Sequence, residues 1–176
     1  MLKIAIIGPE STGKTVLTRQ LAEHFHCQWE PEAARTYVEK LGNDYTFEDV
    51  CNIARIQIQQ EENYENPLLR DDFVFFDTDL IITKVWLEYK YHNVPDFVNQ
   101  RLSKHFFDFY LLCEPDLPWE FDPVREHGND REYFFKWYEK EIQQLGTPYS
   151  KIHGFQEKRL QNALQAVEIF STNSMK

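Results

Sequence analysis

The segment that most restricts what this chain can fold into lies at its start. Leu2-Lys3-Ile4-Ala5-Ile6-Ile7 is a short apolar block of one strand's length. Gly8-Pro9-Glu10-Ser11-Thr12-Gly13-Lys14-Thr15 follows, and then Leu17, Leu21 and Phe25 recur at helical spacing. The eight residues meet the pattern G-x-x-x-x-G-K-[ST] at every fixed position and stand where its mechanism requires, between a strand and a helix. Two glycines let the backbone curl so that successive N–H groups point inward, and the helix N-terminus adds a partial positive charge. Gly8, Glu10, Ser11, Thr12, Gly13, Lys14 and Thr15 are therefore the expected cradle of a nucleoside triphosphate. Lys14 is expected to reach the β- and γ-phosphates, and the Thr15 hydroxyl to bind Mg²⁺.

Such a motif needs a sheet behind it, and the rest of the chain supplies one. Phe73 to Phe76 and Phe109 to Leu112 are blocks of aromatic and aliphatic residues without polar alternation, the pattern of strands buried on both faces. Cys27 to Trp29 and Tyr149 to His153 are weaker strands. Helical spacing joins Phe47, Val50, Ala54 and Ile58, and again Leu160, Ala163, Leu164, Val167 and Phe170. The expected architecture is α/β: a three-layer P-loop nucleoside triphosphate hydrolase/kinase fold with a five-stranded, mainly parallel sheet, formed by one domain over residues 1–176. Some connections have room for two helices.

Composition narrows the partners. Nineteen Lys and Arg against 29 Asp and Glu leave a formal charge of −10, which opposes binding that neutralises many phosphates, so no nucleic acid partner is expected. Cys27, Cys51 and Cys113 form no CxxC pair, and no stretch is long and apolar enough for a membrane span. A reducing, cytoplasmic location without a membrane partner follows as an expectation. The histidines show no metal-ligand spacing beyond His24 and His26, which suit a helix end. Oligomeric state leaves no mark in the sequence.

Three further segments carry chemistry. Phe73 to Phe76 runs into Asp77-Thr78-Asp79, at the strand edge where ligands bind in open α/β sheets. Asp77 is the expected second Mg²⁺ ligand beside Thr15. Asp79 is open to two readings, a substrate ligand or the N-cap of a helix through Ile82, Val85 and Trp86. Glu32 and Arg35, three residues apart after the second strand, also have two: a carboxylate kept ionised by its neighbour and aimed at a substrate hydroxyl, or a surface ion pair. Residues 114–131, with three prolines and many charges, read as a lid after the fourth strand. Its Arg125 and Arg131 are either clamps on a transferring phosphoryl group or answers to local acids. Trp119 is a stacking face or an anchor for that loop, and Phe155 stands where an adenine base would be met.

These phrases, in this order, resemble the nicotinamide riboside (ribosylnicotinamide) kinase domain of NadR-like P-loop proteins. Pro31-Glu32-Ala33-Ala34-Arg35-Thr36-Tyr37 is similar to that family's Glu-x-x-Arg-x-Tyr segment, and Asp77-Thr78-Asp79 with Thr83 to its Asp-Thr-Asp signature. Asp108 to Trp119 is similar to the stretch leading into its lid, and Asp122-Pro123-Val124-Arg125 resembles its lid phrase, although Pro123 stands where the family commonly has Gly. The resemblance implies a free-standing kinase that uses ATP and Mg²⁺ to phosphorylate the 5′-hydroxyl of nicotinamide riboside, a step of NAD salvage. Lys14, Glu32, Asp77, Arg125 and Arg131 would be catalytic, and Glu32, Arg35, Tyr37, Asp79 and Trp119 would hold the riboside. Trp29, Tyr37 and Trp119, with Glu32 and Asp79, would favour its cationic ring. The alternatives are a deoxynucleoside or nucleoside monophosphate kinase, and a regulatory P-loop ATPase with no small-molecule acceptor.

Overall fold

The computed structural model describes residues 1–41, 44–66, 68, 69, 71–120 and 130–174. Its five strands are β1 (Leu2–Ile7), β2 (Gln28–Glu30), β3 (Phe73–Asp77), β4 (Phe109–Cys113) and β5 (Tyr149–Ile152). They form one sheet in the order β2-β3-β1-β4-β5, and every adjacent pair is parallel. Seven helices are described: α1 (Lys14–Phe25), α2 (Ala33–Leu41), α3 (Phe47–Asn63), α4 (Leu80–Tyr91), α5 (Asp96–Leu102), α6 (Arg131–Leu145) and α7 (Glu157–Ser174). Two connections, β2 to β3 and β3 to β4, carry paired helices.

The continuous apolar runs have a direct cause, since a strand's successive side chains point to opposite faces and here both faces are covered. Ala5, Ile7, Val74, Phe76, Tyr110 and Leu112 pack on one side with Ile81 and Val85 of α4 and Phe134, Tyr138 and Ile142 of α6. Ile4, Ile6, Phe73, Phe75, Phe109 and Leu111 pack on the other with Leu17 and Leu21 of α1 and Ala163 and Val167 of α7. The edge strands β2 and β5 are partly exposed, which is why they are short and weakly patterned in sequence.

Two elements depart from the sequence reading. α5, introduced by Pro95, is a seven-residue helix too short to show a period. α3 packs Phe47, Val50, Ala54 and Ile58 into one cluster as their spacing predicts, but its buried face also runs through Ile53 and Gln57 to Glu61. Glu61 is there because α5 delivers Arg101, whose Nε donates to it at 2.5 Å while Nη1 reaches Glu65 at 2.8 Å.

The sheet order also sets where a ligand can sit. The chain leaves β1 toward β2 and leaves β4 toward β5, on opposite sides, so the connections diverge between β1 and β4 and open a crevice at their carboxyl ends.

Candidate functional site

The loop after β1 is pressed against that crevice. Gly8 has φ of +151°, and a Cβ placed on it would stand 2.6 Å from the Cys113 carbonyl oxygen at the end of β4. Only glycine lets the two strand ends approach so closely. Gly13, in the left-handed region at φ +74°, caps α1 and turns the chain so that the first N–H groups of the helix face the loop's interior. Within the loop, the Thr12 hydroxyl donates to the Pro9 carbonyl at 2.8 Å, and Lys14 Nζ donates to the carbonyls of Gly8 and Pro9, each at 2.9 Å.

β3 delivers Asp77 to the same place. Ile6 is its register partner on β1, and the Thr15 hydroxyl donates to Asp77 Oδ2 at 2.5 Å. Oδ1 is buried and, among the described residues, has no hydrogen-bond partner. Burial pushes the Asp77 carboxyl up, while the Thr15 hydrogen bond and the charges of Lys14 and Arg35 pull it back. A hydroxyl and a carboxylate with an unmet oxygen, both beside a phosphate cradle, form a donor set that suits a hard, oxygen-seeking divalent cation. The next residue, Thr78, holds φ of 74° with its N–H bonded to the Ile6 carbonyl at 3.0 Å. A β-branched residue at positive φ is strained, and here the strain lies at the strand tip facing the cleft.

The cleft itself has a volume of about 1130 Å³ and is continuous from the loop to a chamber between α2, α3, α4 and α6. Glu10 to Thr15, Glu32, Arg35 and Phe155 are among its lining residues. Glu32 and Arg35 face each other there with 3.9 Å between Arg35 Nε and Glu32 Oε2, and Arg35 also approaches Glu39 at 3.5 Å. The contact is long and about a third exposed, so its role is to hold charge near the cleft rather than to stabilise the fold.

Other residues singled out in the sequence stand elsewhere. Asp79 is the N-cap of α4: Oδ1 accepts from Ile81 N–H at 3.0 Å and Oδ2 from the Tyr110 hydroxyl at 2.8 Å. It is buried behind the wall, where desolvation raises its carboxyl to about 7 against the hydrogen bonds of Tyr110 and the Ile81 and Ile82 amides. Tyr37 turns to α3, bonding Asp49 and Asn52. Trp29 packs on the α1 side of the sheet, and Trp119 is 40% exposed and outside the lining set. Arg131 donates to the Leu117 carbonyl at 2.8 Å and so fastens the loop after β4 to the start of α6. Arg125 and the rest of residues 121–129 lie outside the described residues.

The aromatic wall exists, but different residues build it. Tyr45, Trp86, Tyr89, Phe134 and Tyr138 line the chamber together with Ile82, Thr83 and Gln57. Trp86 Nε1 donates to the Tyr45 hydroxyl at 3.1 Å, and the two rings meet edge to face at 4.8 Å. The positions 82, 83, 86 and 89 form a helical stripe, and a stripe of this spacing does not by itself distinguish a core face from a chamber wall. On the nucleotide side Arg159, also missed, is buried and donates to the carbonyls of Glu114, Ile152 and Gly154 and to Asp116. Asp116 in turn accepts from Gly154 N–H at 2.6 Å, so the tips of β4 and β5 are tied beside Phe155.

With this geometry in view, a family profile described as an AAA domain matches residues 3–159. The chain belongs to that family. It is 31% identical over 140 residues to the trifunctional NAD biosynthesis/regulator protein NadR of Escherichia coli (strain K12), and equally to that of Salmonella typhimurium (strain LT2). The match takes in 74% of this chain and 33% of theirs, so the chain spans about a third of the length of these curated relatives. Among solved structures, a NadR protein in complex with NR superposes with a TM-score of 0.76 at 22% identity, over 97% of this chain and 50% of that one. Deoxyadenosine kinase from M. mycoides with bound dATP superposes at 0.63 with 14% identity, covering 95% and 100% of the two chains. Thymidylate kinase from Ehrlichia chaffeensis does so at 0.65 with 13% identity, covering 96% and 97%. The fold is that of the P-loop kinases, and the NadR-like resemblance carried by the motif phrases has its counterpart in both sequence and structure. Among the described residues no helix is long and apolar enough to cross a membrane.

Proposed function

We propose that this chain is an ATP-dependent kinase that transfers the γ-phosphoryl group to the 5′-hydroxyl of nicotinamide riboside, giving nicotinamide mononucleotide and ADP. The observation that carries the reading is the single cleft that joins the phosphate cradle to a chamber lined by Glu32, Arg35 and an aromatic wall. A nucleotide switch needs the first half of that cleft and has no use for the second. The NAD-biosynthesis relatives, and NadR structures described with NR and with NAD and AMP-PNP, support the same choice of acceptor and donor.

In this reading, main-chain N–H groups of residues 10–15 and Lys14 hold the triphosphate. Thr15 and, directly or through water, Asp77 hold Mg²⁺, which draws charge from the phosphate oxygens. Glu32 orients the ribose hydroxyl and takes its proton as the oxygen bonds to the γ-phosphorus and the bond to the β,γ-bridging oxygen breaks. Arg35 keeps Glu32 ionised for that task. Because the transition state is loose, alignment and charge stabilisation contribute more than the base. A cationic pyridinium ring suits the chamber, where Trp86 and Tyr45 offer electron-rich faces and Glu32 a negative charge. Asp79 supports the site from behind by capping α4, and Arg131 by anchoring the loop after β4.

The test is a panel of acceptors with Mg²⁺-ATP, read as ADP formation and as a shift in melting temperature. Nicotinamide riboside is expected to give turnover and the largest stabilisation. A preference for deoxyadenosine, thymidine or a nucleotide would move the assignment to the other kinases that share the fold. Slow ATP hydrolysis that no acceptor accelerates would remove the kinase reading altogether.

A further inference from the structure

Two polar side chains sit in the chamber wall among apolar neighbours on their own helices. Gln57 on α3 is 5% exposed and Thr83 on α4 is 1% exposed, among Val50, Ile53 and Ala54 on one side and Leu80, Ile81 and Val85 on the other. Both line the cleft. Thr83 Oγ1 lies 2.6 Å from Gln57 Oε1. The threonine hydroxyl is the donor and the amide oxygen the acceptor, at a separation that suits an O–H···O bond.

This arrangement limits what the wall offers. With Oε1 occupied, Gln57 can present only its Nε2 hydrogens, and among the described residues these make no hydrogen bond to the protein. Thr83, having given its one hydrogen away, can act toward the chamber only as an acceptor. The pair therefore displays one donor and one acceptor side by side. Trp86, three residues beyond Thr83 on the same helix, lines the wall beside them. A primary carboxamide on a flat ring is the complement, with a carbonyl oxygen for Gln57 and an amide N–H for Thr83. A carboxylate is not. To donate to it, Thr83 would have to release Gln57 Oε1 and leave that oxygen buried and unpaired, and without that change its lone pairs face a negative oxygen.

We infer that Gln57 and Thr83 are the residues that select a carboxamide-bearing riboside over the corresponding acid. The inference rests on the riboside kinase reading and sharpens it, because nothing in the phosphate cradle distinguishes the two acceptors.

The experiment compares kcat and KM for nicotinamide riboside and nicotinic acid riboside in the unmodified protein and in the Gln57→Leu, Thr83→Val and Thr83→Ser variants, with melting temperatures alongside. The unmodified protein is expected to favour the amide by tenfold or more in kcat/KM. Gln57→Leu and Thr83→Val should each reduce that preference about tenfold, the order of one lost hydrogen bond. The change should fall on KM for the riboside, with KM for ATP unaltered, and Thr83→Ser should retain the preference. If the unmodified protein shows no preference, or if the preference is the same in every variant while melting temperatures fall, the pair is a brace between α3 and α4 and the inference is overturned. Thr83→Val keeps the side-chain shape and so decides the matter even if Gln57→Leu fails to fold. Turnover of neither riboside overturns the kinase reading as well, whereas brisk turnover of both with one constant ratio overturns this inference alone.

Discussion

At the nucleotide end of the cleft the groups offered to a phosphate are main-chain N–H donors from one run of eight residues, shaped by Gly8, where a Cβ has no room, and by Gly13, which holds a left-handed φ. At the end proposed for the acceptor the lining is made of side chains: Glu32 and Arg35 from the β2–α2 corner, Gln57 from α3, Thr83 and Trp86 from α4, Tyr138 from α6. The first end is an anion site made by backbone geometry, which any triphosphate can use. The second gains its chemistry from which side chains four separate elements bring together. Generality and selectivity are thus divided between the two halves, and each half should respond to substitution in its own way.

Lys14→Ala provides the harshest check on the nucleotide half. Loss of the loop's cation should lower riboside-dependent ADP formation by roughly 10³-fold, the upper range for removing one donor to a developing charge. It should do so for every acceptor equally, as measured by initial rates across the panel. Residual rates that differ between acceptors would break the division between the halves.

Glu32→Gln should cost about 10²-fold in kcat, the low end for a general base, while KM for ATP is preserved. Steady-state kinetics with both substrates varied would check this, and a raised KM for ATP would place Glu32 in the nucleotide half. Trp86→Leu should weaken the cationic riboside about tenfold without weakening a neutral one, as expected for a cation over an indole shielded from water. Isothermal titration with the two ligands measures it, and equal losses would reduce Trp86 to packing.

The mildest effect concerns Asp79, whose carboxyl is raised by burial from 3.8 to about 7. A raised value means that the folded protein binds this proton more tightly than the unfolded chain. Its contribution to stability is full below about pH 4 and is lost as pH rises through about 7. Asp79→Asn keeps an oxygen for the Ile81 amide and carries no charge to desolvate. Its melting temperature, recorded with EDTA across that range, should therefore gain on the unmodified protein as pH rises. A difference that does not vary with pH would mean that Asp79 does not titrate there.

Legibility followed the same division. The cradle could be read because a turn needing glycine, a lysine and a hydroxyl leaves a fixed spacing in one stretch of chain. The central strands could be read because burial on both faces demands an unbroken apolar run. Gln57 and Thr83 left a fainter mark, polar residues at buried helical positions, that is visible only when the face of the helix is already known. Tyr37, Trp29 and Trp119 were sensible aromatic partners by proximity in sequence. Yet Tyr37 points to Asp49 and Asn52, Trp29 enters the α1-side core, and Trp119 stands outside the chamber. Proximity along the chain says nothing about which side of a helix a ring takes.

Local sequence was therefore enough to establish a phosphate cradle, the α/β architecture that must support it, and Asp77 at the strand end beside it. Those features follow from backbone conformation and from burial, which act over a few residues. Packing of α3, α4 and α6 around the sheet chose which residues wall the chamber, turned Asp79 inward as a cap and set Gln57 against Thr83. Those outcomes depend on contacts between residues far apart in the chain, where the energy of each choice exists only once the elements have met.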